Sequence, residues 1–148
     1  MIRGGVTVGL AERSYRQHFG PAITHAVEME KKAIYPRIAV DQSVLDELTA
    51  NERAAFWNSH FDRRYAETLL QRDDKGVLFI DYLRIVADEF LEQQEYRAFL
   101  SGHARLIAER LERHKDNEGV RQKYEWLREY HRNTVTGVVW EDDLENRL

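Results

Sequence analysis

Three groups of side chains in this 148-residue chain have types and spacing that suggest chemistry. His103 and His131 stand equally far in sequence from Asn117. If each rides a helix and the chain turns at Asp116–Gly119, an antiparallel pair brings both imidazoles to one height. Two histidines and a carboxylate such as Asp88 make a zinc donor set, but the spacing matches no ligand motif. The pair is therefore expected to be hydrogen-bonded histidines at a helix interface, with no metal bound. Glu30 falls on the apolar side of its helix, between Val27 and Ala33/Ile34. An unpaired carboxylate there would be costly, and Arg37 and Arg3 are the nearby cations. Glu30 and Arg37 are expected to form a buried structural ion pair. Asp73-Asp74-Lys75-Gly76 lacks the alternating acids and distal glutamate of a calcium loop, so it reads as a hairpin or strand-entry turn.

A fourth group is defined by missing side chains. Gly4 to Leu10 alternates, with Val6, Val8 and Leu10 on one side and Gly5, Thr7 and Gly9 on the other. Glycines on one strand face either allow close approach of a backbone or a ligand or mark a strained or bulged edge strand. By the usual rule that apolar residues turn inward, Val6, Val8, Ile38 and Val40 are expected under a helix, leaving Arg3, Gly5, Thr7 and Gly9 on the open face. A helix opening at Gly20-Pro21 would add its positive end, so backbone amides beside Gly5, Gly9 and Gly20 could admit a phosphate.

The elements that position these groups follow from periodicity. Ala22, Ile23, Ala26, Val27, Ala33 and Ile34 recur with helical spacing, Pro36 stops the helix, and Ile38 and Val40 begin a second strand ending at Asp41. Strand, helix and strand in that order predict a parallel βαβ unit. Ser43 opens an interrupted helical stretch reaching about Leu70, whose apolar surface comes from Phe56, Trp57, Phe61 and Tyr65. Val77 to Leu83 predicts a third strand. From Ile85 onward two helical stripes predict a long antiparallel hairpin. The fold class is thus α+β, a partial ferredoxin-like βαβ unit with a third strand followed by a C-terminal helical hairpin. It is read as a single domain over 1–148: βαβ at 1–41, helical segment and third strand at 42–83, hairpin and tail at 84–148.

Composition excludes several classes. There are no cysteines, which removes disulfide frameworks and thiolate metal sites and fits a cytoplasmic location. No apolar run approaches the ~20 residues of a membrane span, and the N-terminus lacks a secretion pattern. Charged residues are 32% of the chain, but 22 basic and 26 acidic side chains leave a net charge of -4 with no basic patch, so nucleic acid is not the expected partner. Trp57, Trp126 and Trp140 are read as packing residues.

The stretches Arg3 to Gly9, Phe19 to Glu30 and Tyr35 to Asp41 resemble the distal part of a class III nucleotide-cyclase domain. They are most similar to a prokaryotic group of small cyclase-like proteins. With that group the resemblance extends through Phe79 to Leu83, Lys123 to Leu127 and Tyr130-His131. It implies nucleotide chemistry in prokaryotic signalling or defence, and association of two such domains. The departures concern catalysis. The metal-binding aspartates of such cyclases lie on strands upstream of the Arg-Gly-Gly strand, where only Met1 and Ile2 stand, so no metal site carries over. Thr24 and Glu28 occupy the places of the transition-state asparagine and arginine, and a carboxylate repels phosphate charge.

The expectation is a catalytically incomplete cyclase-like module, binding a nucleotide or cyclic nucleotide through Arg3, Gly5, Thr7, Gly9, Gly20 and Thr24, or half of a split enzyme. The isolated chain is not expected to be an enzyme, and no cofactor is expected. The expected partner is a second copy or a chain supplying missing strands. The alternative is a protein–protein interaction module with no nucleotide ligand.

Overall fold

The structure, a computed structural model, describes residues 2–54 and 63–138. Phe56, Trp57, Phe61 and Trp140 lie outside them. The fold is mixed α+β, and the chain divides into two compact units, Met1–Tyr82 and Leu83–Leu148.

The first unit is built on a four-stranded sheet of order β1-β4-β6-β5, with β1 (Gly4–Val6), β4 (Ile38–Val40), β5 (Leu70–Arg72) and β6 (Leu78–Ile80). A separate ribbon pairs β2 (Glu12–Arg13) with β3 (His18–Phe19). Helix α1 (Pro21–Lys32) connects β1 to β4, which pair in parallel with Gly5 beside Ala39 and Val6 beside Val40. This is the expected βαβ unit. Gly20 precedes α1 at φ 134°, a conformation open mainly to glycine, and Pro21 starts the helix with its fixed φ. Ala33 closes it, donating its N–H to the Met29 and Glu30 carbonyls. Helices α2 (Gln42–Ala54) and α3 (Arg63–Thr68) follow β4. The segment Arg72 to Gly76 is the expected turn, and it closes a β5–β6 hairpin. β5 begins where the helical stretch was expected to end.

Strand parity groups Val6 with Val40 and separates both from Gly5 as expected, and α2 covers Val40, but the connecting helix α1 lies on the glycine face rather than the valine face. A Cβ on Gly5 would lie 2.6 Å from the Ala26 carbonyl oxygen and 2.8 Å from Met29 Cβ, and one on Gly9 would lie 3.3 Å from Ala22 Cβ. The glycines are therefore the surface on which α1 rests. Val6 and Val8 remain 38% and 45% exposed. The physical reason is close approach: Ala22, Ala26 and the bare strand fit backbone to backbone, and valines there would hold the helix off. On the opposite face Val40 and Leu78 pack with Leu45 of α2, and Val44, Leu48, Ala66, Leu70 and Ile80 surround them. That apolar layer is the core of the unit.

β6 stops at Ile80, short of the expected Leu83, because a helical turn α4 (Tyr82–Ile85) takes over there; the second unit begins within α4, and a 3-10 turn (Val86–Glu89) leads into α5 (Gln93–Arg113) and α6 (Glu118–Gly137). These two pack together as the expected hairpin. Asn117 caps α6, its side-chain oxygen accepting the Val120 N–H at 3.2 Å. Leu83, Tyr96, Leu100, Ile107, Leu127 and Tyr130 are buried. The Leu83 N–H donates to the Tyr130 hydroxyl at 3.0 Å, and the Tyr96 hydroxyl donates to the Leu83 carbonyl at 2.9 Å. Among the described residues no helix is long and apolar enough to cross a membrane.

Candidate functional site

Four polar side chains converge just beyond the carboxyl ends of the parallel strands β1 and β4. Thr7 follows β1, Asp41 follows β4, His25 projects from the second turn of α1, and Ser43 lies in the first turn of α2. The Thr7 hydroxyl is 3.4 Å from His25 Nδ1 and 3.3 Å from the Ser43 hydroxyl. His25 Nε2 is 3.8 Å from an Asp41 carboxylate oxygen. The Ser43 hydroxyl also lies 3.4 Å from the Val8 N–H.

Asp41 is the electrostatic centre of this group. Its carboxylate accepts the Ser43 N–H at 3.0 Å, as a residue capping a helix does. Hydrogen bonds from the Ser43 hydroxyl and amide, aided by His25, hold its pKa below the ordinary carboxylate value against the smaller opposing effect of burial. A helix cap explains Asp41 and Ser43 but not the convergence of Thr7 and His25 on them. The set offers a fixed anionic acceptor, two hydroxyls and an imidazole to solvent, which suits vicinal hydroxyls or amino groups of a ligand. Hydroxyl, imidazole and carboxylate in line is also the order of an activated nucleophile. However, 3.4 and 3.8 Å exceed the ~2.6–3.2 Å over which such groups transfer a proton.

Of the residues expected to bind a nucleotide, Thr7 alone joins this group. Gly5 and Gly9 are covered by α1, and a Cβ on Gly20 would meet the Leu10 carbonyl oxygen at 2.7 Å. The Thr24 hydroxyl turns back to the Gly20 carbonyl at 3.3 Å. Arg3 reaches the Ala33 carbonyl at 3.3 Å. The expected Glu30–Arg37 pair is corrected as well. Arg37 donates to the buried carboxylate of Asp73, while Glu30, with its side chain 45% exposed, lies 4.0 Å from Arg3. Arg37 immediately precedes β4, its guanidinium lies 5.6 Å over the Phe79 ring, and the hairpin turn after β5 supplies the acid. For Asp73 burial raises the pKa, but the hydrogen bond from Arg37 and those from the Val77 and Lys75 amides outweigh it, so the group lies below the ordinary value.

No family model matches the chain, and no curated protein and no solved structure matches it either.

In the second unit His103 and His131 do meet, with Nδ1 atoms 3.0 Å apart. Among the described residues no three histidine or acidic side chains are placed to hold a metal ion. An open groove of about 490 Å³ runs along α5 and α6 beside this pair, floored by Ala104, Ile107 and Leu111 and rimmed by Arg121, Glu125 and Arg128. Sequence reasoning missed His25, Asp41 and Ser43 as site residues. The signal available was topological: residues just after two parallel strands share an edge with the start of the next helix, where open sheets bind ligands.

Proposed function

We propose that the chain is a cyclase-like module that binds a nucleotide or cyclic nucleotide without cyclising it. The observation that carries this reading is the convergence of Thr7, His25, Asp41 and Ser43 at the carboxyl ends of β1 and β4. Asp41 accepts from ribose hydroxyls or a base amino group, and Thr7 and Ser43 add hydrogen bonds whose direction adapts to the ligand. The closed glycine face lends the reading no support, which leaves it resting on this group and on the sequence resemblance. Lack of cyclisation follows from Glu28, an anion at the place of the phosphate-binding arginine, and from Thr24, whose hydroxyl is engaged by its own helix.

Calorimetry with nucleoside triphosphates, monophosphates and 3′,5′-cyclic nucleotides tests the proposal. At least one should bind, and Asp41→Ala should weaken it at least roughly tenfold, the equivalent of one lost hydrogen bond to a charged group. Absence of heat and of thermal stabilisation with every nucleotide at millimolar concentration would remove the proposal. The second reading, an interaction module, is favoured by one observation: α1 occupies the face that a ligand was expected to use. It is what remains if the calorimetry is negative.

A further inference from the structure

The group of Thr7, His25, Asp41 and Ser43 is loosely spaced within itself. Its two hydroxyls lie 3.3 Å apart, beyond the ~2.5–3.0 Å of a good O–H···O bond, and the imidazole is 3.4 and 3.8 Å from its neighbours. Each of these polar atoms therefore keeps capacity for a ligand. The carboxylate is divided in use: Asp41 Oδ1 accepts the Ser43 N–H at 3.0 Å, while Oδ2 faces His25 across 3.8 Å.

The helix ends that would seat a phosphate beside this group are largely engaged. At α1, Pro21 has no N–H, the Ala22 N–H goes to the Leu10 carbonyl at 3.2 Å, and the Thr24 N–H goes to the Gly20 carbonyl at 3.1 Å. At α2 the Ser43 and Val44 N–H groups both go to Asp41, one to its side chain and one to its carbonyl. Among the described residues, none of the four takes a bond from a lysine or arginine. Arg72 of β5 reaches Gln42 beside them, but its guanidinium is held by the Gln42 side chain at 3.1 Å and the Gly76 carbonyl at 3.0 Å. A phosphate set against Asp41, which stays ionised, would meet a like charge with no cation to offset it.

We propose that Asp41, with Thr7 and Ser43, reads the free 2′,3′-cis-diol of a nucleoside or 5′-nucleotide and discriminates against the 3′,5′-cyclic form. The inference rests on the nucleotide reading above and narrows it. A carboxylate only accepts, and two vicinal hydroxyls offer it two donors side by side. In dinucleotide-binding sheets an acidic residue plays this part toward ribose. In a cyclic nucleotide the 3′-oxygen is an ester oxygen without a proton, and the phosphate bonded to it is an anion. One donor is lost and a negative charge is brought next to Asp41. A 5′-phosphate leaves the sugar through C5′, away from the two hydroxyls, and avoids that charge.

Calorimetry tests this with the four common nucleosides, their 5′-monophosphates and triphosphates, the 2′-deoxy, 3′-deoxy and 3′,5′-cyclic analogues, and free ribose. At least one nucleoside or 5′-nucleotide should bind, and its 2′-deoxy, 3′-deoxy and cyclic analogues should each bind at least roughly tenfold more weakly, as loss of a hydrogen bond to a charged group requires. Added 5′-phosphates should not improve binding, and salt should not weaken that of a triphosphate, since no ion pair is there to be screened. Asp41→Asn keeps a side chain able to cap α2, so the protein stays folded, and it should bring the ribo and 3′-deoxy ligands to about equal affinity. A cyclic or 3′-deoxy nucleotide that binds the wild type as tightly as its ribo counterpart overturns the inference and leaves the nucleotide reading standing. Triphosphate binding that falls steeply with salt would reveal an ion-paired phosphate seat and overturn it too. Ribose binding as tightly as any nucleotide, and lost in Asp41→Asn, upholds recognition of the diol and refutes the nucleotide reading. Silence with every nucleotide and with ribose removes both.

Discussion

His103 and His131 face each other across the α5–α6 hairpin with their Nδ1 atoms 3.0 Å apart. At that distance one imidazole must donate its proton to the bare nitrogen of the other, and burial, which disfavours a charge on either ring, makes the pair one between neutral imidazoles. Burial, with the neighbouring His131 as a lesser cause, pushes His103 down to about 4, and burial lowers His131 as well. The bond also fixes opposite tautomers on the two rings, although both are histidines on similar helices.

Stability should therefore fall on mild acidification. In the unfolded chain both rings take up a proton near the ordinary value of 6.5, while in the folded chain His103 resists until about 4 and His131 is held below its ordinary value. The unfolded state binds more protons in that window, so the contribution is whole above 6.5 and is lost as pH falls through the folded values. Melting followed by circular dichroism should show a midpoint declining by several degrees over this range, and His103→Gln should flatten the decline. Asp41 and Asp73 act lower, below the ordinary 3.8, and do not obscure it. A midpoint flat between pH 6.5 and 4.5 would contradict the assignment.

The Arg37–Asp73 pair should be costly to break from one side only. Their side chains are 7% and 4% exposed, so Asp73→Asn leaves a buried guanidinium without its anion. The expected loss is about 3–5 kcal/mol in urea denaturation, whereas the double variant Arg37→Met with Asp73→Asn should recover a large part of it. Equal losses in the single and double variants would show that the cost does not come from a guanidinium left buried without its anion.

Adjacent glycines of β1 should respond in opposite ways. A Cβ on Gly5 collides with Ala26 and Met29, and Gly5→Ala should cost about 1–3 kcal/mol through displacement of α1. A Cβ on Gly4 meets nothing nearer than the Ile38 side chain at 3.7 Å, and Gly4→Ala should be nearly neutral. If Gly4 proves the sensitive position, the face assignment is wrong.

Within α5, Gly102 has open space where its side chain would be. Gly102→Ala should stabilise the protein by about 0.5–1 kcal/mol, because it removes backbone freedom from the unfolded chain at no steric cost. A lower urea midpoint would mean that the helix needs the glycine for a contact not yet seen.

These cases show which parts of the structure could be read from residue order. The start of α1 at Gly20-Pro21, its end before Pro36, and the meeting of His103 with His131 are local or symmetric features, and sequence spacing reports them. The covered face of β1 is different. Parity sorts Gly5 from Val6 but does not say which set meets the helix, and close packing of Ala22 and Ala26 prevailed over the tendency of valines to be buried. β5 and the β2–β3 ribbon escaped notice because runs of two or three residues show no period. The partner of Arg37 was equally hidden: Asp73 looked like a turn residue, and only sheet pairing brings it across. Likewise His25, Asp41 and Ser43 carry no motif, and their convergence arises from the parallel pairing of β1 with β4.

The bond from the Leu83 amide to the Tyr130 hydroxyl has a consequence for hydrogen exchange. Backbone amides in helices are protected by carbonyls a turn away and are released by local fraying. The Leu83 amide is held by a side chain from the far helix of the hairpin, across 47 positions of sequence. It loses that protection when Tyr130 leaves, so its exchange rate follows separation of α6 from the α4 turn. Tyr130→Phe removes the acceptor while keeping the ring, and should speed exchange at Leu83 far more than at amides within α5. One main-chain proton thereby serves as a reporter of whether α4 stays docked on α6.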